Sequence, residues 1–71
     1  MNLLGGSALL TGIETLGFLF GVGAWFILDR SGHPVLGALV GTSIWTFFTL
    51  IEHAVALNLG AGRPPFAGII P

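Results

Sequence analysis

Residues 3–28 read LLGGSALLTGIETLGFLFGVGAWFIL, and this stretch decides the fold. Its polar side chains are Ser7, Thr11, Glu14 and Thr15. A second apolar stretch at 35–59, VLGALVGTSIWTFFTLIEHAVALNL, is interrupted by Thr and Ser residues and by Glu52-His53. Because an α-helix rises about 1.5 Å per residue, either stretch is long enough to cross a hydrocarbon core about 30 Å thick.

The composition excludes several classes of protein. Only 7% of the 71 residues are charged, whereas a soluble domain carries about a quarter. The chain has no Cys, which removes disulfides, thiolate zinc sites, iron–sulfur clusters and thiol catalysis. With two Arg, no Lys and a net charge of −1, the chain lacks the basic surface that nucleic-acid binding needs.

We therefore predict an all-α membrane protein, a two-span antiparallel transmembrane helical hairpin with an irregular C-terminal tail. Backbone groups in lipid must be hydrogen bonded within their own segment, so both spans should be helical. The expected parts of this single domain are a first transmembrane helix at 5–28, a polar loop at 29–34, a second transmembrane helix at 35–59 and a tail at 60–71. Pro34 suits the first turn of a helix, and Pro64-Pro65 forbids helix beyond the second span.

An even number of spans places both termini on the same side of the membrane. Orientation follows the Lys and Arg residues near the span ends. Arg30 favours a cytoplasmic loop and Arg63 favours cytoplasmic termini. The amino group joins Arg63, so we expect the termini in the cytoplasm.

Small residues mark the helix faces expected to pack. Gly17 and Gly21 form a G-x-x-x-G pattern in the first helix, and Gly37 and Gly41 form another in the second. This spacing lets two helix backbones approach closely. Glu14 shares the face of Gly17 and Gly21 at about 100° per residue, so it should meet protein rather than lipid.

The second helix also carries a polar stripe formed by Thr42, Thr46, Thr49 and His53. Threonine hydroxyls in membrane helices commonly donate to carbonyls of their own helix and assist packing. That role is the first interpretation of the stripe. A polar track leading to His53 is the second.

Glu14, Glu52 and His53 are the ionisable residues inside the spans, where a charge costs about 2.5–3.5 kcal/mol on insertion scales. Counting from the loop places Glu14 about four residues, or about 6 Å, from the height of His53. Glu52 lies at a similar height, so a modest tilt or shift would let Glu14 approach either residue. One hypothesis is intramembrane polar pairing, in which Glu14 and His53 share a proton or form an ion pair that fixes the hairpin register. A neighbouring subunit could supply the partner instead.

A second hypothesis is cofactor binding. His53 would be an axial ligand to a haem iron or to the magnesium of a chlorophyll or bacteriochlorophyll, with Trp45 and Phe48 lining the macrocycle. A protein metal site would need three or four ligands, so we predict none. No nucleophile–base pair stands out, so we predict no enzymatic activity and no catalytic residue.

A third hypothesis is proton or ion translocation by an intramembrane carboxylate. A glycine-rich two-helix hairpin with Glu52 in its second span resembles, in architecture alone, the rotor c subunits of rotary ATP synthases. The resemblance implies a homo-oligomer in which Glu52 is the essential acid. The chain departs from that pattern: bulky Phe18, Phe20 and Trp25 interrupt the small residues of the first helix, and Glu52 lies nearer one end of its span.

Two helices cannot shield three ionisable groups from lipid on their own. We therefore expect a non-catalytic accessory or structural subunit of a larger integral membrane complex. Short hairpins of this kind are most often found in energy-transducing complexes, photosynthetic or respiratory, whose work is electron transport. The expected partners are larger integral membrane subunits and lipid. The alternative is a homo-oligomeric proton- or ion-translocating subunit.

Overall fold

A computed structural model describes the backbone of residues 3–70 and the side chains of residues 8–70. The chain is all-helical within those limits, with α1 at Leu3–Arg30 and α2 at Pro34–Gly60. The loop predicted for 29–34 is therefore too long, because Asp29 and Arg30 continue α1. Their polarity therefore does not mark the end of the helix. The amino-terminal group and Pro71, the end of the predicted tail, lie outside the described residues.

The turn between the helices is a Schellman motif centred on Gly32. Gly32 has φ of +88°, a left-handed conformation that glycine adopts without steric cost. Its N–H donates to the Asp29 carbonyl at 3.1 Å, and the His33 N–H donates to the Leu28 carbonyl at 2.8 Å. These are the two bonds that define the motif, and Pro34 then starts α2 without requiring an N–H partner.

Glycines set the separation of the two helices. A Cβ atom built on Gly21 would lie 2.8 Å from the carbonyl oxygen of Gly41. Nearer the turn, a Cβ on Gly37 would lie 2.9 Å from the carbonyl oxygen of Trp25. All three contact glycines named here are buried. The helices therefore touch backbone to backbone, which larger side chains at these positions would prevent.

Aromatic packing continues the contact beyond the glycines. Gly17 is buried against the Cβ and ring of Phe48. The Phe48 ring also meets Phe20 edge to face, with ring centroids 5.9 Å apart. Three contacts join the helices, and they pair Trp25 with Gly37, Gly21 with Gly41, and Gly17 with Phe48. Along this series the residue numbers fall in α1 and rise in α2. The chain is thus a two-helix hairpin.

The hairpin buries little of its own apolar surface. Val55 is the fully buried hydrophobic side chain among the described residues. Many large apolar side chains are exposed, with exposed fractions from 44% at Trp25 to 72% at Val35. In the most apolar windows of Ala8–Arg30 and Pro34–Gly60, only 17% and 11% of residues are buried. Core helices of soluble domains bury far more than this. Both helices are long and apolar enough to cross a membrane.

The tail folds back on the end of α2. Gly62, with φ of +74°, ends α2 in a second Schellman motif, in which the Arg63 N–H donates to the Asn58 carbonyl at 2.8 Å. The Asn58 side-chain amide donates to the carbonyls of Pro65 and Ala67, each at 2.9 Å. Its Oδ1 accepts a bond from Arg63 Nε at 3.1 Å. The residues from 61 to 70 lack regular helix, and Asn58 holds them in one compact arrangement.

Candidate functional site

The Glu14–Glu52 carboxyl pair is the polar centre of the hairpin. The two side chains, one from each helix, lie close enough to interact with each other. Glu14 is exposed and Glu52 half-buried. The contact of Gly17 with Phe48 lies about one turn away on each helix, so the glycine packing sets the register that brings the two acids together.

A hydrogen bond between two carboxyl groups requires that one of them is protonated. An ionised carboxylate only accepts, whereas a protonated carboxyl group donates as well. Glu14 and Glu52 can therefore hydrogen bond to each other only when one of them is protonated. The pair has the chemistry to hold, release or exchange a proton, and to attract a cationic group.

His53 stands beside this pair. It follows Glu52 and lies about 100° further round α2. Its side chain is exposed, and it is close enough to Glu52 for the two groups to interact electrostatically. The side chain that meets Glu14 across the hairpin is thus Glu52, and His53 points to a different sector of the surface.

The aromatic residues considered for a cofactor site lie apart from His53. Phe48 packs into the helix contact at Gly17, and Trp45 packs its Cβ 3.4 Å from the position of a Cβ on Gly21. Two cavities whose linings include Trp45 are lined by neither His53 nor Phe48. Within one hairpin these three residues do not enclose a macrocycle. Among the described residues, no group of three or more His, Cys, Asp or Glu side chains is placed to hold a metal ion.

Two threonines of the polar stripe bond to their own helix. Thr42 Oγ1 donates to the carbonyl of Ala38 at 2.6 Å, and Thr49 Oγ1 donates to the carbonyl of Trp45 at 2.9 Å. These bonds satisfy the hydroxyl donors within the helix itself. Thr42, Ser43 and Thr46 nevertheless remain exposed on the outer side of α2.

Two neighbouring cavities lie on the surface of the hairpin. A cavity of about 240 Å³ lies over the glycine contact, and its lining includes Phe18, Val22, Trp25 and Trp45. A second cavity, of about 430 Å³, is lined by Thr11, Glu14, Thr15, Phe18 and Trp45. The two lie side by side with Phe18 and Trp45 in both linings, and we call the surface that they span the Trp45 groove. It has an apolar end near the turn and an end with a carboxyl group and two hydroxyls.

Asn58 is a polar residue that the sequence interpretation did not single out. It is 6% exposed, and its side chain makes three hydrogen bonds. The available signal was an Asn in the last turn of an apolar helix, followed by glycines and prolines that turn the chain back, but this signal does not identify its hydrogen-bond partners.

Comparison with models of known families, with characterised proteins and with solved structures gives no match.

Proposed function

We propose that this chain is an integral membrane protein with two antiparallel spans, acting as a non-catalytic accessory subunit of a larger membrane complex. Both termini lie on one side of the membrane in this arrangement. The observation that supports it is the position of Glu14, an exposed carboxyl group on a hairpin whose surface is otherwise largely apolar. Ionisable groups at membrane depth face protein or a water-filled cavity rather than lipid.

The hairpin does not cover this group itself. Each helix hides only the narrow face that carries the contact glycines, and Glu14 and His53 remain exposed on its flanks. Covering them takes helices from other chains. The proposed work of the subunit is to fill a groove between larger subunits and stabilise their contacts, and an energy-transducing complex is the setting we favour.

Gentle detergent extraction followed by native mass measurement tests this proposal. The chain, tagged at its C-terminus and expressed in its native cell, should co-migrate in a fixed ratio with larger, unrelated membrane proteins. Migration as a single hairpin, or solubility in buffer without detergent, contradicts it. An absorption spectrum of the same preparation, compared with that of His53→Ala, tests whether His53 ligates a haem or chlorophyll.

A second candidate function is favoured by the carboxyl pair. Glu14 and Glu52 can share and exchange one proton, which is what a homo-oligomeric proton-translocating subunit requires. In that case the native mass is a multiple of the mass of this chain alone. Proton flux into vesicles containing the purified protein should then fall with Glu52→Gln and persist with His53→Ala.

A further inference from the structure

The Trp45 groove has the shape of a docking site for one helix. It runs along α1 from Thr11 to Trp25, a distance of about 21 Å or about four helical turns. Its cavities over the two halves measure about 240 and 430 Å³, enough for several large side chains. The groove exists because the contact of Gly21 with Gly41 draws the helices together while Phe18 and Trp45 stand out on either side.

The carboxyl group of Glu14 in the groove suits a cationic partner. Glu14 is exposed and lines the wider half of the groove, and both arginines of the chain are engaged elsewhere. The Arg30 guanidinium lies 5.5 Å from the Phe26 ring centroid at the turn, about 24 Å along α1 from Glu14. Arg63 bonds to Asn58 in the tail. A second copy of this chain has the same two arginines at the same helix ends.

The depth of Glu14 favours a protein side chain over a lipid headgroup as its cationic partner. Glu14 lies eleven residues after the start of α1 at Leu3, or about 16 Å along the helix axis. A lipid headgroup amine stays at the interface, whereas a Lys or Arg on a transmembrane helix can stand at any depth when a carboxylate pairs with it.

We infer that the Trp45 groove binds a transmembrane helix of a larger subunit, and that this helix carries a Lys or Arg side chain facing Glu14. The inference rests on the proposed accessory function and adds the chemistry of the partner. Apolar side chains of the partner helix fill the half of the groove between Phe18 and Trp25. Its cation pairs with the carboxyls, and Thr11 and Thr15 flank the ion pair.

Site-specific photocrosslinking in native membranes tests the inference. A photoreactive benzoylphenylalanine is placed at position 15, which lines the groove, or at position 16, which is exposed and lies outside its lining. The chain with the probe at position 15 should crosslink to a larger subunit, and the attached peptide, identified by mass spectrometry, should contain a Lys or Arg within about one turn of the site. The matched probe at position 16 should give at least tenfold less of this product.

Charge variants in the position-15 background complete the test. Glu14→Lys should lower the crosslink at least tenfold, and Glu14→Gln should lower it less, because the amide keeps its shape and hydrogen bonds. His53→Ala should leave it unchanged. A crosslink to a peptide without Lys or Arg, to lipid alone, or to a second copy of this chain through its His53 overturns the inference. If larger subunits co-migrate with the hairpin but the position-15 probe fails to reach them, the groove assignment fails and the accessory function stands. If none co-migrate, both fail.

Discussion

Gly21 and Gly41 lie so close across the hairpin that neither position has room for a side chain. A Cβ on Gly21 would lie 2.8 Å from the Gly41 carbonyl oxygen, and a Cβ on Gly41 would lie 2.7 Å from the Gly21 carbonyl oxygen. Real Cβ atoms do not approach backbone oxygens this closely. The contact is reciprocal, so a methyl group on either side must push the two helices apart.

Gly41→Ala should therefore destabilise the hairpin by about 1–3 kcal/mol, the usual cost of overpacking a tight contact. Gly23→Ala is the matched control, because a Cβ there meets nothing within 4 Å. The control should be neutral or stabilising by up to about 1 kcal/mol, the helix propensity gain of Ala over Gly. The free energy of unfolding in mixed micelles measures both, and equal values for the two variants would refute the backbone contact.

The helices themselves were predictable from the sequence, because apolar runs of this length admit few other structures. The ends of the helices were harder to predict from the sequence. Asp29 and Arg30 suggested a loop by polarity, yet the Schellman bonds around Gly32 retain both in α1. The polarity of a residue pair does not fix the end of a helix, which lies where the backbone turns.

The register of the carboxyl pair could only be approached by counting. The count left open whether Glu14 meets His53 or Glu52, because a difference of about one turn depends on the turn geometry and on which glycines touch. The structure brings Glu14 to Glu52. The role of Asn58 was beyond sequence pattern, since its partners at Pro65 and Ala67 lie in a tail without periodicity.

Asn58→Asp should release the tail from the end of α2. The carboxylate can still accept from Arg63, but it cannot donate to the carbonyls of Pro65 and Ala67, which then lose their side-chain donor. Leaving buried polar groups unpaired costs about 1–3 kcal/mol. Hydrogen exchange of the Ala67 and Ile70 amides, both hydrogen bonded in the folded tail, should accelerate at least tenfold.

Arg63→Ala is the comparison for that experiment. It removes one bond to Asn58 and leaves both amide donations in place. Its effect on exchange should be several-fold smaller. Should Asn58→Asp and Arg63→Ala accelerate exchange equally, the amide donations are not what holds the tail.

Single cysteines test the membrane arrangement directly, since the chain has none of its own. His33→Cys lies in the turn and Ala61→Cys follows α2. In sealed vesicles a membrane-impermeant maleimide should label one of these from outside and the other only after the vesicles are opened. Leu50→Cys, in an exposed but mid-helix position, should resist the reagent in both cases. Labelling of all three from outside would rule out two spans.

Glu14 and Glu52 should be energetically coupled, while Glu14 and His53 should not. In a double-mutant cycle with alanine at both positions, the coupling between the two glutamates should be about 0.5–1.5 kcal/mol, the range of hydrogen bonds between membrane helices. The single variants are not informative by themselves, because removing a carboxyl group from an apolar hairpin also removes its insertion cost. The cycle cancels that cost. In the same micelles, the coupling free energy between Glu14 and His53 should be no larger than about 0.3–0.5 kcal/mol. A larger coupling to His53 than to Glu52 would show that the imidazole, and not the second carboxyl group, is the partner of Glu14.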